Sequence, residues 1–215
     1  MQKSLLGKLN IGLEYLLHRS GPMSMAPSQV GCFAYSSDEE ERPNLEFHVQ
    51  PLSLDSWGEP LHTSFDAITA SVCNLRPTSR GSVHITSRDS NALPVIDPNY
   101  LDTEYDRKVA VEAIRLTRKI MTETRTLAAY NTQEVMPGME KKTDEEILEG
   151  IKGCSSTIFH PVGTARMSRR GGRSADPYGV VDSHCRVHGV SNLRIVDASV
   201  MPQITSGNTA APTMV

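Results

Sequence analysis

The sequence predicts an α+β fold, an antiparallel sheet with helices packed on one face. After a first helical stretch, short strand candidates occupy much of the first hundred residues, and two stretches of helical periodicity follow. Extended, turn-bounded segments then return near the end. Strands, then helices, then strands again fit an antiparallel α+β arrangement better than an alternating parallel sheet. At 215 residues the chain suits one substantial domain, or a domain with a tail. It has no internal repeat and no low-complexity tract.

Leu5, Leu6, Leu9, Leu13, Leu16 and Leu17 recur at helical spacing and predict an amphipathic first helix resting on a core, ended by Ser20-Gly21-Pro22. Val30 to Tyr35 reads as a strand, followed by an acidic loop from Asp38 to Glu41. Leu45 to Val49 alternates with period two, which predicts a half-buried strand with His48 on its solvent side. Thr69 to Leu75 and Gly81 to Thr86 are further strand candidates, and the turn-rich Arg76-Pro77-Thr78-Ser79-Arg80 between them predicts a hairpin. Prolines confine Leu93 to Pro98 to an edge or an extended segment. Thr103 with Asp106 opens a helix in which Ala110, Ala113, Ile114, Thr117, Ile120 and Met121 line one face. Thr143 with Glu146 opens another, with Ile147, Leu148 and Ile151 turned inward. Leu193 to Ser199 reads as a short apolar strand ending on Asp197.

A net charge of −3 with scattered cations points away from nucleic acid and from anionic membranes as partners. The one basic cluster, Arg166 to Arg173, reads as a solvated loop. Four widely spaced cysteines, with no C-x-x-C pair, predict reduced thiols and a cytoplasmic location, with peripheral membrane association left open. No apolar run approaches the roughly 20 residues that span a bilayer. Lys8 and Glu14 interrupt any signal-like stretch. His184-Cys185-x-x-His188 lacks a second ligand pair at zinc spacing, so no metal site is expected. No G-x-G-x-x-G and no G-x-x-x-x-G-K occurs, so the chain has no dinucleotide fingerprint or phosphate loop of its own.

His160 is the best candidate base. An imidazole is available in its neutral form at physiological pH to accept a hydroxyl proton. Pro161 holds its backbone extended and Gly163 permits a tight turn, so the side chain is displayed. A histidine bonded beneath a loop would carry the same local sequence. Asn208, 48 positions later (208 − 160), can donate and accept at once and steady charge on an alcohol oxygen. It also suits an ordinary turn. Asp197 before Ala198-Ser199 would let a flat ligand lie against the backbone, or would serve as a helix cap. Ser/His/Asp hydrolysis is disfavoured by the lack of a G-x-S-x-G elbow.

Three runs carry a resemblance: Phe159-His160-Pro161-Val162-Gly163-Thr164-Ala165-Arg166-Met167, Val187 to Pro202, and Ser206-Gly207-Asn208-Thr209-Ala210-Ala211-Pro212-Thr213. Together they resemble the C-terminal, substrate-binding portion of glucose–methanol–choline (GMC) oxidoreductases, FAD-dependent enzymes that oxidise alcohols, on the choline-dehydrogenase-like side. Weaker likeness reaches through Arg76 to Gly81 and Asp97 to Leu101 back to Ser20-Gly21-Pro22. The resemblance implies that His160 faces the flavin with Asn208 as its catalytic partner, and that Asp197, Ala198 and the backbone near Thr209 line FAD. It implies a proton passed from the alcohol to a base and a hydride passed to flavin N5.

The same resemblance divides the chain into a substrate-binding α+β domain (1–155) and a catalytic, FAD-contacting segment (156–215) that would belong to an FAD-binding α/β domain. The partners expected are an alcohol and an FAD-binding portion that is absent from these residues. The isolated chain is then expected to be colourless or to bind flavin weakly. Ala165, Ser168 and Ala210 depart from the residues usual in the family, cysteine, glycine and asparagine. The alternative is a catalytically incomplete module with a binding or structural role.

Overall fold

The computed structural model describes residues 5–52, 65, 67–168 and 176–215. Its elements are α1 (Leu5–His18), β1 (Val30–Ala34), β2 (Leu45–Gln50), β3 (Thr69–Asn74), β4 (Ser82–His84), β5 (Val95–Asp97), α2 (Glu104–Glu123), α3 (Arg125–Ala128), α4 (Asp144–Cys154) and α5 (Ala210–Met214). Helices mixed with antiparallel sheet are the class the sequence predicts. One sheet has the order β1-β2-β3 and a second pairs β4 with β5. In the first, β1 runs antiparallel to β2 in a register from Val30↔Val49 to Ala34↔Leu45. The chain divides into two compact units, one of Met1–Cys73 with Ala110–Ser156, the other of Asn74–Val109 with Thr157–Val215.

In the first unit, β2 supplies Leu45 and Phe47 to the core, as its alternation predicts. Glu46 is buried as well, so the strand is covered on both faces. This corrects the expectation for His48. Its side chain is only 19% exposed, because β2 is the central strand and β3 brings Cys73 up beside it.

α4 begins with a capping box. Thr143 Oγ1 accepts from the Glu146 N–H at 3.2 Å while Glu146 Oε2 accepts from the Thr143 N–H at 3.1 Å. Asp144, Glu145 and Glu146 place negative charge at its positive end. Ile147 and Ile151, one turn apart, are buried. Of the stripe expected on α2, Ala113 is buried and the other five are half-buried; Val109 and Val111 go deeper. Arg118 forks onto Glu134 with bonds of 2.8 and 2.9 Å and also donates to the Lys141 and Gly138 carbonyls, which fastens the loop after α3.

Three expectations need correction. The leucines of α1 are exposed, from 46% at Leu13 to 85% at Leu5, and Gly7 is the helix's one buried residue. The stripe is amphipathic in pattern but covers no core among the described residues. The hairpin between β3 and β4 does not form. The Arg76–Arg80 loop is instead captured by Asp106, and β4 pairs with β5, Ser82↔Asp97 through His84↔Val95. Leu193 to Ser199 is not a strand. Only the Arg186↔Arg194 bridge forms, because left-handed residues at Gly189 and Asn192 turn the chain tightly and Asp197 starts a 3-10 turn. Of the basic run, residues 169–173 lie outside the described residues.

In the second unit Asp106 is the anchor. It is 4% exposed and accepts the backbone N–H groups of Thr78 at 2.8 Å and Ser79 at 2.9 Å, and the Thr78 hydroxyl at 3.1 Å. Burial opposes its ionisation, but the Ser79 and Thr78 hydrogen bonds outweigh that and hold its carboxyl below the ordinary carboxylate range. The start of α2 is thereby bound to the 76–80 loop.

Candidate active site

His160 lies in a loop whose backbone is set on both sides. Phe159 is left-handed, with φ of 62°, and its N–H donates to Thr157 Oγ1 at 3.0 Å, which also accepts the Tyr100 hydroxyl at 2.9 Å. Beyond Pro161, Gly163 has φ of 91°. A Cβ there would make only ordinary contact with the Met201 carbonyl, at 3.4 Å, so it is the backbone conformation that favours glycine. The loop then runs beside the segment that carries Asp197. The Ala165 N–H donates to the Ser199 carbonyl at 3.0 Å and the Met167 N–H to the Val200 carbonyl at 2.8 Å. His160 itself is half-buried, and its ring has no hydrogen-bond partner among the described residues.

The structure thus brings the His160 loop alongside Asp197 and Ala198. Asp197 is exposed and caps the 3-10 turn Ala198–Val200, its carboxylate accepting from the Ser199 N–H at 2.8 Å. The Ser199 side chain and N–H hold that carboxyl below the usual range. Ala198 is half-buried beside it.

Asn208 is exposed and follows Gly207, whose φ of 144° only glycine adopts freely. Its turn is tied down by Arg76, which donates to the Ser206 hydroxyl. No hydrogen bond joins His160 to Asn208. Thr209 is buried and opens α5, its carbonyl accepting the Thr213 N–H at 3.0 Å. Asp106, the 76–80 loop, Arg76 and the Asn208 turn therefore form one connected support.

Two clusters escaped the sequence reading. Ser168 Oγ lies 2.9 Å from His188 Nε2, with Ser168 buried. No carboxylate is paired with His188 among the described residues, so the pair lacks the third group of a hydrolytic triad. Glu46, His48 and Cys73 form the second cluster. Only strand pairing joins residues so far apart in sequence, and no local spacing signals it. Arg166, within the His160 run, pairs with Asp176 at 2.7 Å and lies over the Tyr178 ring at 5.2 Å.

Two curated relatives are each 38% identical over 205 residues, 95% of this chain: an alcohol dehydrogenase [acceptor] from Pseudomonas putida and an oxygen-dependent choline dehydrogenase from Staphylococcus aureus. The chain spans about a third of their length, 36% and 35% respectively. A formate oxidase variant from Aspergillus oryzae, studied for FAD modification, superposes with a TM-score of 0.80 over 96% of this chain and 39% of its own. At 24% identity that likeness speaks for the fold alone. No helix among the described residues is long and apolar enough to cross a membrane. Residues 77–215 match the model of the GMC oxidoreductases, and the chain belongs to that family.

Proposed function

We propose that this chain forms the substrate side of an FAD-dependent oxidoreductase acting on the CH–OH group of a primary or choline-like alcohol. Residues 1–155 would bind the alcohol side and 156–215 would carry the catalytic and FAD-contacting residues. The carrying observation is the docking of the His160 loop on the Ser199 and Val200 carbonyls, with a half-buried imidazole that has no hydrogen-bond partner among the described residues. The relatives' printed activities on alcohols and choline support the substrate class.

FAD suits the residues present. Small Ala198 and the glycine turns at Gly163 and Gly207 leave backbone open to a flat ring, and Thr209 lies next to Asn208 in the same turn. FAD would supply the acceptor for the hydride leaving the carbinol carbon. His160 takes the hydroxyl proton at a ring nitrogen as the C–H bond breaks, so the alcohol loses a proton and a hydride and becomes the carbonyl product. Asn208 donates its amide N–H to the alcohol oxygen and limits the cost of the negative charge that develops there. Asp197, whose carboxylate already caps its own turn, holds the backbone of Ala198 in place. The adenine and pyrophosphate have no fingerprint here, so a dinucleotide-binding portion outside these residues is part of the proposal. The four free thiols fit a cytoplasmic enzyme. In the assembled enzyme, His160→Ala should slow alcohol-driven flavin reduction about a hundredfold or more. Rates equal to the parent's in stopped-flow reduction would refute the role.

A further inference from the structure

We propose that Glu46, His48 and Cys73 form a binding site for one divalent ion of the zinc class. One ligand atom from each lies within 4.8 Å of the others. Glu46 and His48 are two apart on β2 and share one face, and Cys73 comes from the neighbouring strand β3. Tetrahedral ligation at about 2.0–2.3 Å sets ligand atoms roughly 3.5 Å apart. Side-chain rotation on a fixed pair of strands closes the remaining distance.

His48 Nε2 carries the argument furthest. It is buried and has no hydrogen-bond partner, although buried polar atoms are nearly always paired. The nearest candidate, Glu46 Oε1, lies at 3.6 Å, too far for a hydrogen bond. An ion between them would satisfy both atoms.

The donor set selects the ion. One imidazole nitrogen, one sulfur and one carboxylate oxygen make a zinc ligand set, whereas calcium and magnesium take oxygen donors. Three protein ligands leave the fourth position to water or another donor. Burial and then the Glu46 carboxylate push the Cys73 thiol up to about 11, with the Glu46 backbone N–H offsetting only part of that. A bound cation outweighs both effects: the thiol gives its proton to solvent and the thiolate bonds the metal. The expectation of no metal rested on local spacing, which cannot reveal ligands brought together by strand pairing.

The test is Co(II) titration of the chelator-stripped chain under a thiol-free reductant. One equivalent should bind with a thiolate-to-cobalt charge-transfer band and tetrahedral d–d bands, and Zn(II) should displace it. Cys73→Ser should abolish the charge-transfer band, and Glu46→Gln and His48→Gln should each weaken binding at least tenfold, with far-UV circular dichroism confirming folded variants. A parent chain without the charge-transfer band overturns the proposal. So does a band that survives in Cys73→Ser and disappears in Cys185→Ser, which would place the metal at His184-Cys185-x-x-His188 instead.

Discussion

In the unit of Met1–Cys73 and Ala110–Ser156, order comes from buried apolar side chains on regular elements: Leu45 and Phe47 on β2, Ile147 and Ile151 on α4. In the unit that holds the family motifs, the described residues of Thr157–Val215 contribute one five-residue helix, a 3-10 turn and long irregular stretches. Its shape rests on backbone bonds between loops, such as Ser168 N–H to Val181 O at 2.9 Å and His188 N–H to Val180 O at 3.0 Å. Buried polar anchors such as Asp106 complete it. The contrast shows why motifs concentrate where periodicity fades. A loop held by specific hydrogen bonds needs particular residues at particular positions, whereas a core needs only apolar residues of suitable volume.

The sharpest way to break this comparison is to exchange the damage. Ile147→Ala, which empties a fully buried position, should cost about 4 kcal/mol. Hydrogen exchange should rise first in α4 and β2 rather than in the 157–215 segment. Asp106→Ala should cost about 3 kcal/mol, because it orphans the Thr78 and Ser79 N–H groups, and its exchange should rise first around 76–80 and the Asn208 turn. Equal exchange patterns in the two variants would dissolve the distinction.

Asp106 also gives the second unit an acid limit. Its folded pKa is depressed, so its contribution is fully present above the unfolded value of about 3.9 and disappears as pH falls through the lower folded value. Denaturant midpoints across that acid window should fall less steeply in Asp106→Asn than in the parent chain. The smallest effect belongs to a local signal. Thr143→Ala removes half of the capping box and should cost about 1 kcal/mol, read as a lowered melting temperature with α4 fraying at Asp144.

The same division explains what was legible. Caps and periodicity placed α1, α2 and α4 and the first three strands close to their observed bounds. Those signals act within a few residues, so they could not show which strand β4 would choose once Asp106 had taken the 76–80 loop. They also missed the burial of His48, which depends on Cys73 arriving on β3, and the exposure of the α1 leucines, which depends on what lies opposite. At the site, Pro161, Gly163 and Gly207 announced the turns that display His160 and Asn208. The two backbone bonds that lay the His160 loop beside Asp197 were not legible, because backbone groups carry no sequence signature.

The central claim is that the displayed His160 imidazole takes the alcohol proton. Its most direct test is single-turnover flavin reduction by alcohol in the assembled enzyme, comparing His160→Ala with His184→Ala as a control. The account predicts reduction slowed about a hundredfold or more by the first change and unaltered by the second. Equal rates in the two variants would contradict it.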